Sequence, residues 1–259
     1  MTITSDELVT WISAYFWPFV RITALLMASP FFGTMAIIPA RIRMVLALAV
    51  TWVLVPVIPP APVIDPLSAV GLLVLAQQLL FGFAMGFLLQ LAFTALTLGG
   101  SSISMPMGLG FANVIDPQNG VQVPVLSTLF TIMGTLLFLS LNGHLILIQV
   151  LADSFTSMPV GPVGLSTENL MRIVLWGTRV FVGGVLIALP AIMIITLINI
   201  SFGIMTRAAP QLNIFAVGFP TTMAAGFLVL FLTMPNLLPH FTSLLYDAFD
   251  VMQSILTGG

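Results

Sequence analysis

Few side chains in this sequence of 259 residues are able to do acid–base or metal chemistry. The chain has two histidines, His144 and His240, eight acidic residues, six arginines and no lysine or cysteine. Neither histidine has the HExxH spacing of a zinc peptidase, and no two carboxylates share an obvious helical face within an apolar run. No Walker or Rossmann glycine pattern follows a predicted strand. We therefore expect no enzymatic function, no metal and no cofactor.

The scarcity of charge indicates the class of protein. Charged residues make up 5% of the chain, against roughly 25% in an ordinary globular protein. Residues 66–115, 117–152, 180–206 and 208–246 carry no charge. A helix needs about 20 mostly apolar residues to cross a bilayer, and each of these stretches contains such a run. The sequence therefore predicts an all-α polytopic membrane protein with long helices that are broken by Pro and Gly.

The distribution of charge also excludes some partners and suggests an orientation. Six scattered arginines make no basic patch, so nucleic acid is not an expected partner. The N-terminal residues carry no basic region ahead of a short apolar run, so we expect no removable signal peptide. The positive-inside rule places the turns at Arg41, Arg43 and Arg207 in the cytoplasm.

Proline, glycine and capping residues mark the ends of the apolar runs. Asp65 before Pro66 and, further on, Ser166 are placed as helix N-caps. Residues 153–165 contain two prolines and two glycines, so we place the main domain boundary there and divide the chain into residues 1–165 and 166–259. The expected helical segments cover residues 8–30, 39–56, 67–98, 124–151, 167–205 and 211–256.

The last two segments are expected to form one long helical hairpin. Each arm has about 40 residues or more, and 40 helical residues extend about 60 Å. The end of the second arm is amphipathic, with Asp247 and Asp250 away from its apolar face. The residues predicted to be buried on that face are Phe241, Leu244, Leu245, Phe249, Met252, Ile255 and Leu256.

Residues 99–124 are rich in Gly, Pro and small polar residues and are not expected to form one continuous helix. Irregular backbone is not tolerated in contact with lipid at membrane depth, so such a loop should be buried in protein or line a cavity. A surface loop is the alternative, and the methionines are either apolar filler or a deformable seal. We predict a plug in this loop, formed by Met105, Met107, Gly108, Leu109, Gly110, Phe111, Val114, Ile115, Asp116 and Pro117.

Two further groups of residues are candidates for function. Arg207, Pro210, Asn213, Gly218 and Pro220 combine a charge, helix breakers and a capping side chain, which favours a structured hairpin tip. A second group of polar residues lies within apolar runs, where each residue either makes an interhelical hydrogen bond or belongs to a conduction path. This second group consists of Arg21, Asn142, His144 and Asn199.

Two stretches carry a resemblance to a known family. They are GLGFANVIDPQNGVQVPVLSTLFTIMGTLLFLSLNGHLILI, residues 108–148, and LPAIMIITLINISFGIMTRAAPQLNIFAVGFP, residues 189–220. The first is the more specific, because the FA-x-x-x-DP element, the VPVL helix start and LNGH occur in that order. The sequence resembles the FliR family of flagellar type III secretion export-gate subunits over essentially its whole length.

The resemblance implies an all-α chain in which a FliP-like part, residues 1–165 with the plug loop 99–124, is fused to a FliQ-like hairpin, residues 166–259. It implies a non-enzymatic, pore-forming subunit of the export gate in the bacterial inner membrane, within the flagellar basal body, in an assembly that projects toward the periplasm. It matches the family's plug to residues 108–123, with Phe111 at an aromatic plug position. The partners it implies are FliP, FliQ, FlhB, FlhA, unfolded flagellar substrates and membrane lipid.

Two other functions are weighed beside this one. The equivalent subunit of a virulence injectisome would share the fold and would export effectors. The sequence motifs VIDPQNG and LNGHLILI favour the flagellar subunit over this alternative. A small-molecule or ion transporter should show two halves with matching hydropathy and polar residues near the midplane in both. The sequence shows no such inverted repeat.

Overall fold

The computed structural model describes residues 5–31, 39–109, 125–209 and 218–257. These residues form eight α-helices and no strand, so the all-α prediction is confirmed. The helices are α1 (Ser5–Ala28), α2 (Ala40–Leu54), α3 (Ala69–Ser104), α4 (Val125–Ser140), α5 (Gly143–Ser157), α6 (Thr167–Trp176), α7 (Thr178–Ala208) and α8 (Phe219–Thr257).

Several of these helices are long and apolar enough to cross a membrane. Within the described residues the candidate spans are Thr10–Ala28, Ala69–Ser104, Thr167–Ala208 and Phe219–Leu256. Helices α4 and α5 pass the same test as a pair, and they are bent by 67° at the break between them. The chain is therefore a polytopic membrane protein, as its sparse charges predict.

Two helix starts were predicted from capping residues, with different outcomes. Ser166 caps α6, because its Oγ accepts a hydrogen bond from the backbone N–H of Asn169 at 3.1 Å. The prediction for Asp65 is wrong. The carboxylate of Asp65 accepts a hydrogen bond from the backbone N–H of Leu67, which makes a turn before the helix. At the start of α3, the Oγ of Ser68 accepts from the backbone N–H of Gly71 at 2.9 Å instead.

Helix α3 is longer than predicted, because residues 99–104 are helical and do not belong to the loop. The two glycines that were interpreted as helix breakers serve close packing. A Cβ on Gly99 would lie 3.1 Å from Cγ2 of Ile187, and one on Gly100 would lie 2.7 Å from Cα of Ser127. The loop therefore begins after Ser104, not at residue 99.

The chain divides into two compact units. The first unit comprises Met1–Leu91, Phe138–Gly177 and Tyr246–Gly259. The second unit comprises Ala92–Leu137 and Thr178–Leu245. Each unit takes segments from both sides of the predicted domain boundary, and that boundary stays a prediction.

In the first unit, α1 and α3 approach each other through small residues. Gly82 and Gly86 are four residues apart on α3, and Ala24 and Ala28 have the same spacing on α1. A Cβ on Gly82 would lie 2.7 Å from that of Ala24, and a Cβ on Gly86 would lie 2.7 Å from that of Ala28. Such small-residue spacing lets the backbones of membrane helices pack closely.

The predicted apolar face at the end of α8 is confirmed. Asp250 is exposed and Asp247 is half-buried on the other side of the helix. Burying this face removes a large apolar area from water or lipid headgroups and fixes the rotation of the helix. All seven residues predicted for the face are buried: Phe241, Leu244, Leu245, Phe249, Met252, Ile255 and Leu256.

Candidate functional site

The predicted plug begins where α3 ends, in the second unit. Met105 is 75% exposed, whereas Met107, two residues on, is completely buried. Gly108 has φ 79°, a left-handed conformation that favours glycine, and its N–H donates to the carbonyl oxygen of Met105 at 3.0 Å. Leu109 is half-buried. The plug residues Gly110, Phe111, Val114, Ile115, Asp116 and Pro117 lie outside the described residues.

Two contacts hold this first part of the predicted plug. Nδ2 of Asn199, on α7, donates a hydrogen bond to the carbonyl oxygen of Pro106 at 3.0 Å. The side chain of Met107 packs against α8 at Gly226, where a Cβ would lie 2.6 Å from Cγ and Cε of the methionine. The plug base, which we define as Met105–Leu109, is therefore attached to α7 by a hydrogen bond and to α8 by packing.

The helix that follows the loop is also attached to α3. Ser127, in the first turn of α4, is buried, and its Oγ donates to the carbonyl oxygen of Thr97 at 2.8 Å. Its backbone lies against Gly100, which has no side chain to keep α4 away. Residues 110–124 are therefore flanked on both sides by helices that pack on one another.

The predicted hairpin tip is described only in part. Arg207 is exposed in the last turn of α7, where a positive charge interacts favourably with the helix dipole. Pro220 is in the first turn of α8, a position that suits proline, and Gly218 is buried just before that helix. Pro210 and Asn213 lie outside the described residues, so the structured tip stays a prediction.

Arg21 is completely buried in the first unit and links three segments of the chain. Its Nε donates to Oε1 of Gln78 on α3 at 2.7 Å. Its Nη1 donates to the carbonyl oxygen and to Oγ of Ser154 on α5, at 2.9 and 3.1 Å. Its Nη2 donates to the carbonyl oxygen of Met158 at 2.9 Å. The sequence left two alternatives for Arg21, an interhelical hydrogen bond or a place in a conduction path. The structure shows interhelical hydrogen bonds.

The guanidinium of Arg21 also lies over two aromatic rings. Its Cζ is 4.2 Å from the ring centroid of Phe155 and 5.0 Å from that of Phe81. A cation is attracted to the face of an aromatic ring, and more strongly when both are away from water. These contacts of Arg21 are with an amide, a hydroxyl, backbone carbonyls and aromatic rings. The positive charge is therefore balanced by dipoles and ring faces at these contacts, rather than by a carboxylate.

Sequence reasoning missed the partners of Arg21. Gln77 and Gln78 form a polar pair within the uncharged run of residues 66–115, and this pair was the available signal. Gln78 is completely buried and accepts from Arg21, while Nε2 of Gln77 donates to the carbonyl oxygen of Pro162 at 2.6 Å. Gln78 thus ties α3 to α1 through Arg21, and Gln77 ties α3 to the chain between α5 and α6.

The other three polar residues predicted within apolar runs, Asn142, His144 and Asn199, do not take part in the hydrogen bonds of Arg21. Asn142 lies exposed at the break between α4 and α5, with φ 57°, which asparagine tolerates better than most residues. His144 is half-buried in the first turn of α5, and its Nδ1 has no hydrogen-bond partner within the described part of the chain. Asn199 belongs to the plug base contacts given above.

The described residues offer little for chemistry on a small molecule. They contain no group of three or more His, Cys, Asp or Glu side chains that could hold a metal ion. A cavity of about 50 Å³ in the second unit is bordered by Pro190, Thr233, Asn236 and His240. That volume suits water rather than a substrate. The polar and packing contacts described above hold helices together and attach the plug base to α7 and α8.

Comparison with known proteins agrees with the resemblance seen in the sequence. The family model described as bacterial export proteins, family 1, matches residues 12–248. The chain is 37% identical over 259 residues to flagellar biosynthetic protein FliR of Pectobacterium carotovorum subsp. carotovorum, covering 99% of this chain and 98% of that protein. The chain belongs to the FliR family of bacterial export proteins.

Two other FliR proteins show how far the similarity extends. FliR of Escherichia coli strain K12 is 34% identical over 257 residues, which covers 99% of this chain and 98% of that protein. FliR of Aquifex aeolicus strain VF5 is 34% identical over 252 residues, 97% of this chain and 95% of that protein. As a member of the FliR family, the chain is a membrane component of the flagellar export apparatus, and the expected family is confirmed.

Proposed function

We propose that this chain is a structural, pore-forming subunit of the flagellar type III export gate that helps to assemble and to plug the channel for unfolded flagellar proteins. The observation that carries the plug is the attachment of the plug base, with Pro106 bonded to Asn199 and Met107 packed on Gly226. A plug has to be held in place at rest and released when a substrate arrives. The described contacts would hold the plug base at rest.

The contacts at the plug base are suited to being broken and remade. A single neutral hydrogen bond such as that of Asn199 contributes about 1 kcal/mol. Methionine has a flexible, unbranched side chain that repacks easily, and Met107 is the residue in the Gly226 contact. We infer that arrival of a substrate displaces the plug at small energetic cost, and that apolar side chains seal the channel at rest without binding substrate tightly.

The apolar surface of α7 and α8 supports assembly with other subunits. In the most apolar window of Thr167–Ala208 only 33% of the residues are buried within the chain, and in that of Phe219–Leu256 only 28%. Exposed residues such as Phe181, Leu197 and Phe231 need lipid or another protein to cover them. We propose that FliP and FliQ cover part of this surface in a gate that also contacts FlhB and FlhA.

The remaining parts of the proposal follow from the family. The chain would act without catalysis in the bacterial inner membrane, at the flagellar basal body, in an assembly that projects toward the periplasm. A proton gradient or a partner ATPase would then supply the energy for export. The equivalent injectisome subunit is a weaker alternative, because the relatives named above are flagellar proteins.

Gene deletion and co-purification test the assembly role. A deletion strain should lose motility and hook-protein secretion, and a plasmid copy of the chain should restore both. Co-expression with FliP and FliQ should give one large complex that purifies through a tag on this chain. A motile deletion strain, or a chain that stays monomeric with both partners present, would contradict the proposal.

Ion leakage tests the plug separately. Cells or vesicles that contain the assembled gate with residues 108–123 shortened should leak ions, whereas the unaltered gate should not. Complex formation has to be checked in the same samples, because an unassembled gate would also fail to conduct. Unchanged conductance through an intact shortened complex would contradict the plug while leaving the assembly role in place.

A further inference from the structure

Helices α1 and α2 of the first unit border an open apolar groove of about 550 Å³. Pockets that hold drug-sized ligands have about 300–1,000 Å³. The hydroxyl of Thr51 is already engaged, because it donates to the carbonyl oxygen of Ala47 in its own helix at 2.6 Å. The other groove residues have aliphatic or aromatic side chains. We call this the α1–α2 groove, and its lining consists of Ile12, Tyr15, Phe16, Phe19, Leu48, Thr51 and Trp52.

The size of the lining residues argues for a thin, flexible occupant. Membrane helices pack on one another through small residues, as α1 and α3 do at Gly82 and Gly86. The α1–α2 groove contains no glycine or alanine and is bordered by large side chains such as Phe16 and Trp52. A helix backbone would be kept at a distance by these side chains. An acyl chain can bend between them and needs no hydrogen bond.

The charge at one end of α2 selects the headgroup. Arg41 is exposed in the first turn of α2, and it makes no hydrogen bond or ion pair with any described residue. Pro39 precedes this helix without capping it by a side chain. The N-terminal backbone N–H groups and the helix dipole at this end favour an anion, and a guanidinium is well matched to phosphate.

The spacing along α2 fits a lipid. Leu48 and Trp52 follow Arg41 by 7 and 11 residues, so the three share a helix face. At about 1.5 Å per residue, Trp52 lies roughly 16 Å along the helix from Arg41. One leaflet contributes about 15 Å of hydrocarbon. A chain that starts from a headgroup at Arg41 would therefore extend along the groove to Trp52.

We propose that the α1–α2 groove binds one anionic phospholipid, with an acyl chain between α1 and α2 and the phosphate at Arg41. This site does not depend on the pore or the plug. It gives the chain a preference for anionic over zwitterionic lipid.

Native mass spectrometry of the purified full-length chain tests the site with phosphatidylglycerol and phosphatidylcholine as probes. The wild-type chain should retain phosphatidylglycerol more strongly than phosphatidylcholine. Arg41→Gln should weaken retention of phosphatidylglycerol about fivefold, the effect of one basic residue near an anionic lipid surface. Leu48→Trp, at a position that is 55% exposed, should reduce binding of either lipid by filling the groove.

Arg179→Gln is the matched control, since Arg179 is also an exposed arginine in the first turn of a helix and belongs to the second unit. It should retain phosphatidylglycerol like the wild type. Equal retention of both lipids by the wild type, or an Arg41→Gln chain that binds as the wild type does, would overturn the proposal.

Photo-crosslinking separates lipid from a protein occupant. Benzoyl-phenylalanine introduced in place of Leu48 should crosslink to phospholipid in cells that assemble the export apparatus. A crosslink to another protein, with none to lipid, would show that a partner helix fills the groove and would overturn the lipid site.

Discussion

Asn199 on α7 donates a hydrogen bond to the backbone carbonyl of Pro106, 93 positions earlier in the chain, at 3.0 Å. The bond joins the hairpin to the plug base, and it uses a backbone acceptor just beyond the end of α3. Neither partner is charged, so the contact can open without leaving an ion in an apolar environment. This bond therefore offers a direct way to test whether the plug base controls closure.

Replacing Asn199 by alanine should increase ion leakage through the assembled gate. Losing a hydrogen bond of about 1 kcal/mol raises the population of a displaced plug base by about fivefold. Conductance of vesicles that contain the complex measures this. Ser201→Ala is the control, because the hydroxyl of Ser201 donates to the carbonyl oxygen of Leu197 within its own helix. Equal leakage from the two variants would mean that the Asn199 bond does not restrain the plug.

The contact between Gly226 and Met107 should show coupling in a double-mutant experiment. Gly226→Ala places a methyl group where Met107 lies and should displace the plug base, whereas Gly203→Ala adds a methyl group in open space. Leakage should rise for Gly226→Ala and stay unchanged for Gly203→Ala. Combining Gly226→Ala with Met107→Ala should partly restore the seal, and purely additive effects would contradict direct coupling.

Removing Arg21 should destabilise the first unit strongly. Arg21→Leu leaves the buried Oε1 of Gln78 and the carbonyl oxygen of Met158 without this donor, at about 1–3 kcal/mol for each unsatisfied group. The carbonyl oxygen of Ser154 keeps its hydrogen bond from the backbone N–H of Met158. Arg21→Lys should be intermediate, since an ammonium cannot reproduce the planar donor geometry. Thermal unfolding of the purified chain in detergent measures both.

Arg179→Gln, at an exposed position, is the control for this series and should unfold like the wild type. An Arg21→Leu chain as stable as the Arg179→Gln chain would mean that the hydrogen bonds of Arg21 do not hold the helices together.

The close approach of α1 and α3 predicts intolerance of larger residues on α3. A Cβ on Gly86 would lie 2.5 Å from the carbonyl oxygen of Leu25, which is backbone and cannot rotate away. Gly86→Ala should therefore lower stability by about 1–3 kcal/mol, the usual cost of overpacking. Gly203→Ala, with open space around it, should be neutral or slightly stabilising because alanine favours a helix. Chemical unfolding in detergent compares the two, and equal midpoints would contradict the packing.

The class of fold could be predicted from the sequence because lipid imposes a simple rule on composition. Uncharged runs longer than a bilayer span require helices, and the helical period placed Phe241 and Met252 correctly on one buried face. Ser166 was predicted as a cap because its side chain acts on the residues next to it. These predictions depend on local sequence alone.

The end of α3 and the partners of Arg21 could not be predicted in the same way. Gly99 and Gly100 have the local signature of a helix breaker, and only the proximity of Ser127 reveals that they serve packing. Gln78 lies 57 positions from Arg21, and nothing in the local sequence pairs them. The middle of the plug, including Phe111, lies outside the described residues and stays a prediction.

The burial of Arg21 has a consequence for how the protein is made. Its acceptors on Ser154 and Met158 are synthesised more than 130 residues after it, so α1 is complete long before they exist. An arginine at the centre of a lone membrane helix costs about 2.5–3.5 kcal/mol to insert. We expect α1 to stay at the membrane surface or within the insertion machinery during translation, and to take its final position only when α3 and α5 arrive.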